Sequence, residues 1–200
     1  MALVNHLVVF AREPRLGAVK TRLGRDIGMV AAGVFYRRAL ARVLRQLGRD
    51  ARWRPWLAVT PDGSGNGPWP RPWTVFPQGP GNLGQRMARI MALLPPGPVV
   101  LVGTDVPDIR PAHVARAFRA LGSHEAVFGP AADGGYWLVG QRPRPPLLSL
   151  FDGVRWSTEH ALADTVANLD HPPALIDTLE DVDDRASWER WRKREKQKLV

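Results

Sequence analysis

Residues 99–103, Val-Val-Leu-Val-Gly, are an unbroken apolar run closed by glycine, and the chain turns acidic straight after it with Thr104, Asp105, Val106, Pro107 and Asp108. A run this short, apolar without alternation, suits a strand buried on both faces of a sheet. In open α/β sheets ligands bind just beyond the carboxyl ends of such strands. Asp105 is therefore placed to hold a divalent ion against phosphate oxygens, because Mg²⁺ takes hard oxygen ligands and keeps several for its substrate. Asp is also a favoured helix cap, and the competing reading has Asp105 capping a helix that begins near Pro111.

The length of 200 residues fits one domain spanning 1–200, and 44% apolar residues suffice for its core. There is no cysteine, which excludes disulfides, zinc-thiolate sites and cysteine nucleophiles. No apolar run reaches the roughly 20 residues of a membrane span. The first residues lack a basic region followed by a long apolar one, so no signal peptide is expected. The expected setting is the cytoplasm. A net charge of +9 favours anionic partners. Part of it lies in a basic tail at about 190–200, expected as a solvated helix end or frayed segment with no nucleic-acid motif.

Leu7–Phe10 reads as a first strand and leads into a loop, residues 11–23, with Arg12, Arg15, Lys20 and Arg22 around a turn at Pro14 and Gly17. Four cations after a first strand suit a di- or triphosphate, arginine offering paired donors and lysine a point charge. The loop matches neither a Walker A sequence nor a dinucleotide fingerprint, and an ordinary exposed basic loop has the same composition. Apolar residues from Ile27 to Leu47 recur at helical spacing, so one long helix over 25–47 should cover a face of the sheet. Strands follow at Trp56–Thr60 and Trp73–Phe76, separated by a Gly/Pro-rich loop. Glycines at 79, 81 and 84 let backbone approach a ligand, with Gln78 or Asn82 to read a base or sugar edge, or else they form a helix cap. Helices are expected at 83–94, 111–121, 158–168 and 185–196, strands at 125–130, about 136–140 and 174–177. Ser157 or Thr158 would cap the third of these helices. Asp133-Gly134-Gly135-Tyr136 is a tight-turn signal and a narrow seat for a small substrate. Pro143–Pro146 reads as a stiff break, and Trp188 with Trp191 as core packing against the sheet.

Several stretches together carry a resemblance: Phe10-Ala-Arg-Glu-Pro with Gly17-Ala-Val-Lys-Thr-Arg-Leu23, Gln78-Gly with Leu83-Gly-Gln-Arg-Met87, Gly103-Thr-Asp-Val-Pro-Asp108, Gly129-Pro-Ala-Ala-Asp-Gly-Gly-Tyr136, and Trp156-Ser-Thr158. In that order the chain resembles the small bacterial glycosyltransferase-A-like proteins related to 2-phospho-L-lactate guanylyltransferase. The resemblance implies an α/β three-layer sandwich around a mixed, mostly parallel sheet of about seven strands, the nucleotide-diphospho-sugar transferase fold. It implies Arg12, Lys20 and Arg22 on the phosphates, with Gln78, Leu83 and Gly84 also at the nucleotide. It puts Asp105 on Mg²⁺ or Mn²⁺ and favours Asp183, in Asp181-Val182-Asp183, as the second ligand. Many glycosyltransferases of this fold carry Asp-x-Asp at the metal. Here Thr104-Asp105-Val106 stands in its place, so Asp105 needs Asp183 or water beside it.

Three readings of the chemistry follow. In glycosyl transfer from a nucleotide sugar, the ion at Asp105 neutralises the leaving diphosphate. The small-molecule acceptor lies over Gly134, Gly135 and Tyr136, with Asp133 as base or acceptor ligand. Trp156, Ser157 and Thr158 close the far side. In nucleotidyl transfer, a phosphorylated small molecule attacks an NTP and pyrophosphate leaves. The third reading is a non-catalytic nucleotide-binding protein. Oligomeric state stays open.

Overall fold

The run at 99–103 becomes the fourth of seven hydrogen-bonded strands. The computed structural model describes residues 3–142 and 149–198, so the expected break at Pro143–Pro146 lies outside the described residues. The strands are β1 (His6–Arg12), β2 (Arg54–Thr60), β3 (Thr74–Pro77), β4 (Val99–Val102), β5 (Ala126–Pro130), β6 (Tyr136–Gln141) and β7 (Ala174–Leu175), in the order β3-β2-β1-β4-β6-β5-β7. Only β6 runs against the rest, pairing antiparallel with β4 and β5. The sheet is thus mixed and mostly parallel, as expected. All four residues of β4 are buried, and so are the first six of β1. That explains why both read as continuous apolar runs rather than alternating ones.

The helices are α1 (Thr21–Ile27), α2 (Met29–Leu47), α3 (Leu83–Leu93), α4 (Pro111–Ala120), α5 (Ala161–Ala167) and α6 (Arg185–Gln197). Leu7, Val9, Leu57, Val100 and Val102 point to one face of the sheet, where α2 and α4 bring Leu40, Val43, Leu44, Leu47, Val114 and Ala117 against them. Val8, Phe10, Ala58, Leu101 and Phe128 point to the other, under Met87, Ile90 and Met91 of α3 and Leu162 and Val166 of α5. Two apolar faces, each covered by helices, make the three layers. No helix among the described residues is long and apolar enough to cross a membrane.

Several sequence expectations are corrected. The helix expected over 25–47 is two helices, broken at Gly28, whose φ of 90° no L side chain adopts without strain. Val30 and Val34, counted into the apolar stripe, are exposed. The stripe shifts to Ala32, Phe35, Tyr36, Ala39 and Leu40. Helix α5 begins at Ala161, not 158. Thr158 instead braces the preceding turn, donating to Arg155 O and accepting from His160 N. Trp188 and Trp191 pack not on the sheet but on a separate cluster of Leu23, Ala32, Phe35, Ala39 and Val182 between α1, α2 and α6, with Trp191 edge-on to Phe35 at 5.1 Å. The tail is not simply solvated either. Arg190 and Arg194 grip Glu180, Arg194 and Lys198 reach Asp108, and Arg42 of α2 pairs with Glu195.

Candidate functional site

The strand order reverses direction between β1 and β4: β2 and β3 lie on one side, β6 and β5 on the other. A crevice opens at such a switch point, beyond the carboxyl ends of the parallel strands. The loop after β1 (residues 13–20), Gly103–Asp105 after β4 and the β5–β6 turn all emerge at this edge. The turn joins them because β6 runs back from the same end at which β5 finishes. The segment before α6 closes the rim. Leu179 donates from its backbone to Pro130 O, and the amide of buried Val182 donates to Asp105 O at 3.0 Å. Val182 is therefore the anchor of Asp181-Val182-Asp183, and the acids on either side of it both line the cleft.

At the centre Lys20 stands between two carboxylates, its Nζ 2.5 Å from Asp105 Oδ1 and 2.5 Å from Asp183 Oδ1. The Lys20 side chain is only 4% exposed, whereas those of Asp105 and Asp183 are 59% and 40% exposed. Burial pulls the ammonium pKa down, but the two carboxylates outweigh it and hold the value above the ordinary lysine range. Lys20, expected on the phosphates, lines the same lobe as Arg12 and Arg22 but is paired with these two acids. It occupies the point on which Asp105 and Asp183 converge. Asp105 caps no helix, since α4 starts from Arg110, whose amide donates to His113 Nδ1.

Two non-glycine residues have left-handed backbone among the described residues, Lys20 (φ 49°) and Ser157 (φ 62°), and both line the cleft. Such conformations cost of order 1 kcal/mol and cluster where side chains are aimed for function. Asp181, close to Asp183, is a perturbed acid. Burial, then the charges of Asp183 and Asp133, push its carboxyl up to about 6.

The cleft has two lobes. The first, a cavity of about 650 Å³, carries Arg12, Lys20, Arg22 and Arg86 under the β1 and β4 ends. The second, about 770 Å³, is lined by Asp133, Gly135, Trp156, Thr158 and Asp181. Arg22, Leu83, Asp105, Tyr136, Ser157 and Asp183 belong to both, so the carboxylate pair sits where the lobes meet.

Not every expected residue is free for a ligand. Arg12 Nη1 donates to Ala18 O and shapes its own loop. Arg15 turns to Glu13 and lines neither lobe. Gln78 is buried and spends its Nε2 on Ala11 O and Ala58 O, and Asn82 caps α3, its Oδ1 accepting from Gln85 N, and lines neither lobe. Gly84 is a packing glycine: a Cβ there would meet Phe151 Cβ and Trp156 Cζ2 at 2.7 Å. Gly134 lies 2.3 Å, by the same construction, from Glu159 O, so it serves to dock the β5–β6 turn on the segment before α5.

Sequence reasoning missed three residues. Tyr36 is buried, and its hydroxyl accepts from Arg12 N, donates to Arg12 O and lies 3.3 Å from Thr104 Oγ1, joining the ends of β1 and β4. Its signal was a phenol in the apolar stripe of α2, where a buried O–H demands a partner. Arg86 was inside a quoted motif yet not singled out as a cation. Glu159 stood next to Trp156-Ser-Thr158 and carried no signal of its own.

A family model described as an uncharacterized protein conserved in bacteria, DUF2064, matches residues 43–158, more than half of the chain. The chain belongs to the DUF2064 family. No curated protein matches its sequence. Among solved structures, this DUF2064 protein is similar to a candidate nucleotide-diphospho-sugar transferase of Desulfovibrio desulfuricans G20, 28% identical over 90% of this chain and 82% of that one, with a TM-score of 0.80. The manganese complex of Rv0371c from Mycobacterium tuberculosis H37Rv is 20% identical over 95% and 98%, at a TM-score of 0.55. A CMP:2-keto-3-deoxy-manno-octonic acid synthetase complexed with CTP is 13% identical over 98% and 99%, at 0.56. The last two likenesses concern the fold, which is that of nucleotide-diphospho-sugar transferases.

Proposed function

We propose that this DUF2064 protein is a transferase that uses a nucleotide-activated donor, moving a glycosyl group from a nucleoside-diphosphate sugar to a small-molecule acceptor. One observation carries the reading: a cation-lined lobe and a second lobe share a single cleft and meet at Asp105 and Asp183. The similarity at 28% identity to a candidate nucleotide-diphospho-sugar transferase supports it.

The residues fit a divalent cation. Asp105 and Asp183 aim hard oxygens at one point, and that point already holds a positive charge, the Lys20 ammonium. Mg²⁺ or Mn²⁺ held by these two acids would supply charge neutralisation for the leaving diphosphate. Arg22 and Arg86 line the first lobe and pair with no carboxylate among the described residues; Arg86 gives its Nε to Gly81 O, which leaves its Nη donors, with the Arg22 guanidinium, for phosphate oxygens. Lys20, released when another cation takes its carboxylates, lies within the same lobe. In the transfer, an acceptor oxygen bonds to the anomeric carbon as that carbon's bond to the diphosphate oxygen breaks. The electron pair leaves with the diphosphate, and the acceptor proton passes to a base. Asp133 fits that role: Oδ1 is fixed by Gly135 N at 2.9 Å, which leaves Oδ2 for the proton. Tyr136, Trp156, Ser157 and Thr158 wall the acceptor.

Nucleotidyl transfer is the second reading, favoured by the likeness in fold to a synthetase holding CTP. The test is incubation with Mg²⁺ or Mn²⁺ and either a panel of nucleotide sugars or NTPs with phosphorylated acceptors. Free nucleoside diphosphate is the expected product, and pyrophosphate would favour the second reading. Asp105→Asn should abolish metal-dependent nucleotide binding and leave the fold intact. Absence of any nucleotide-induced thermal shift in the native protein would leave a non-catalytic chain.

A further inference from the structure

The two lobes differ in electrostatic character. In the first, Arg12, Arg22, Arg86 and Lys20 outnumber the carboxylates they face, Asp105 and Asp183. The second adds Asp133, Glu159 and Asp181 to that same pair, with His160 beside them, and among the described residues the one arginine lining it is Arg22, at the boundary. The acids of the first lobe are matched by Lys20. Among the described residues, Asp133, Glu159 and Asp181 meet no lysine or arginine at ion-pair distance, and Glu159 has only His160 at 3.8 Å. The lobe also carries aromatic surface from Trp156 and Tyr136, whose rings meet edge-on at 6.3 Å. Asp133 and Glu159 are exposed and Asp181 is half-buried; with no lysine or arginine among the described residues paired to them, their like charges add across the lobe and repel a ligand bearing the same sign of charge.

Resting on the transferase reading above, we infer that the second lobe takes an acceptor free of phosphate and carboxylate: a small hydroxyl-bearing molecule, neutral or amine-bearing, with one apolar face against Trp156 and Tyr136. The carboxylates accept hydrogen bonds from its hydroxyl or ammonium groups, whereas a phosphate dianion or a carboxylate on the ligand would offer no donor and bring like charge. The aromatic wall gives it orientation, in keeping with pockets that combine an apolar surface with a few fixed polar groups. A phosphorylated acceptor is turned away by like charge rather than by lack of room, because the lobe is no smaller than the one assigned to the nucleotide.

The test uses the full chain with Mg²⁺ and a mixture of nucleoside diphosphates, and reads saturation-transfer NMR. It compares matched probes: glycerol with glycerol 3-phosphate, methyl glucoside with glucose 6-phosphate, and glucosamine with its 6-phosphate. The unphosphorylated member of at least one pair should receive saturation and its phosphate ester at least tenfold less. Trp156→Ala should abolish the signal. Combining Glu159→Gln with Asp181→Asn should narrow the tenfold difference while nucleoside diphosphate binding persists. A phosphate ester that binds as well as or better than its parent overturns the inference, as does binding of nucleoside diphosphate with no probe bound at all. Failure of the nucleoside diphosphates themselves to bind sinks the transferase reading, and this inference with it.

Discussion

Lys20 is held by two carboxylates in a site whose proposed chemistry needs those carboxylates for something else. Replacing it with methionine keeps the stem and removes the charge, which leaves Asp105 and Asp183 opposed. Both acids are substantially exposed, so solvent screening keeps the cost to about 1–2 kcal/mol. The same variant frees the site for a cation that in the native protein must first displace the ammonium. Thermal unfolding with and without MnCl₂ should therefore show Lys20→Met less stable than native alone but raised further by the metal. An equal metal shift in both proteins would count against Asp105 and Asp183 as the metal's holders. Tyr36 acts differently, as a spacer. Tyr36→Phe leaves the Arg12 amide without its side-chain acceptor and should cost about 1–3 kcal/mol. It should also weaken nucleotide binding, because the ends of β1 and β4 lose the hydroxyl between them. Urea denaturation and nucleotide titration on the one variant separate the two effects.

The β5–β6 turn shows how far elements were legible in the chain and where legibility ended. Asp133-Gly-Gly announced a turn because its chemistry is local, and β1 and β4 announced themselves because burial on both faces leaves continuous apolar runs. The break at Gly28 was hidden because Ile27 and Val30 keep helical spacing across it. The roles of Gly84 and Gly134 depend on what packs opposite them, Phe151 with Trp156 and Glu159, partners over 20 residues away that no local pattern reveals. For the site, Asp105 was legible from its place after a buried strand. The pairing of Lys20 with Asp183, 163 residues apart, was not, since ion pairing across a fold leaves no spacing signal. Gly134 yields the prediction at this scale. Its φ of 86° and the backbone of Glu159 within 2.3 Å of a Cβ leave no room for alanine. Gly134→Ala should destabilise by about 1–3 kcal/mol and push the turn off the segment before α5. Acceptor binding should fall more than nucleotide binding, because the displaced groups line only the second lobe. Separate titrations of the two ligands test that split.

At the scale of the whole molecule, α6 links the positive tail to the acidic rim of the cleft. Asp184 caps α6, accepting from Ser187 N, and Asp183 is its immediate neighbour, so the helix fixes where that carboxylate stands. The helix is in turn tied down by Glu180, with Arg190 and Arg194, and by Glu195, with Arg42 and Lys198. Burial raises the pKa of Glu180 and of Glu195, but hydrogen bonds from their basic partners outweigh it and leave both below the ordinary glutamate value of 4.5. A carboxylate whose folded pKa is depressed adds stability that is complete above its unfolded pKa and is lost as pH falls through the folded one. The docking of α6 should then hold at neutral pH and weaken below about pH 4, by about 1–2 kcal/mol for the group of partly exposed pairs. Strand β4, buried and apolar, has no such dependence of its own, whereas β1 starts at buried His6, whose pKa burial and then Arg54 hold below the ordinary histidine value. Hydrogen exchange between pH 6 and pH 3, corrected for the intrinsic pH dependence of exchange, should show protection in α6 falling roughly 5- to 30-fold while that in β4 falls less. Metal-dependent nucleotide binding should decline over the same interval, since Asp183 loosens with the helix it precedes. Protection that falls equally in α6 and in β4 would mean that acid unfolds the domain as one unit and that the tail's ion pairs hold nothing separately.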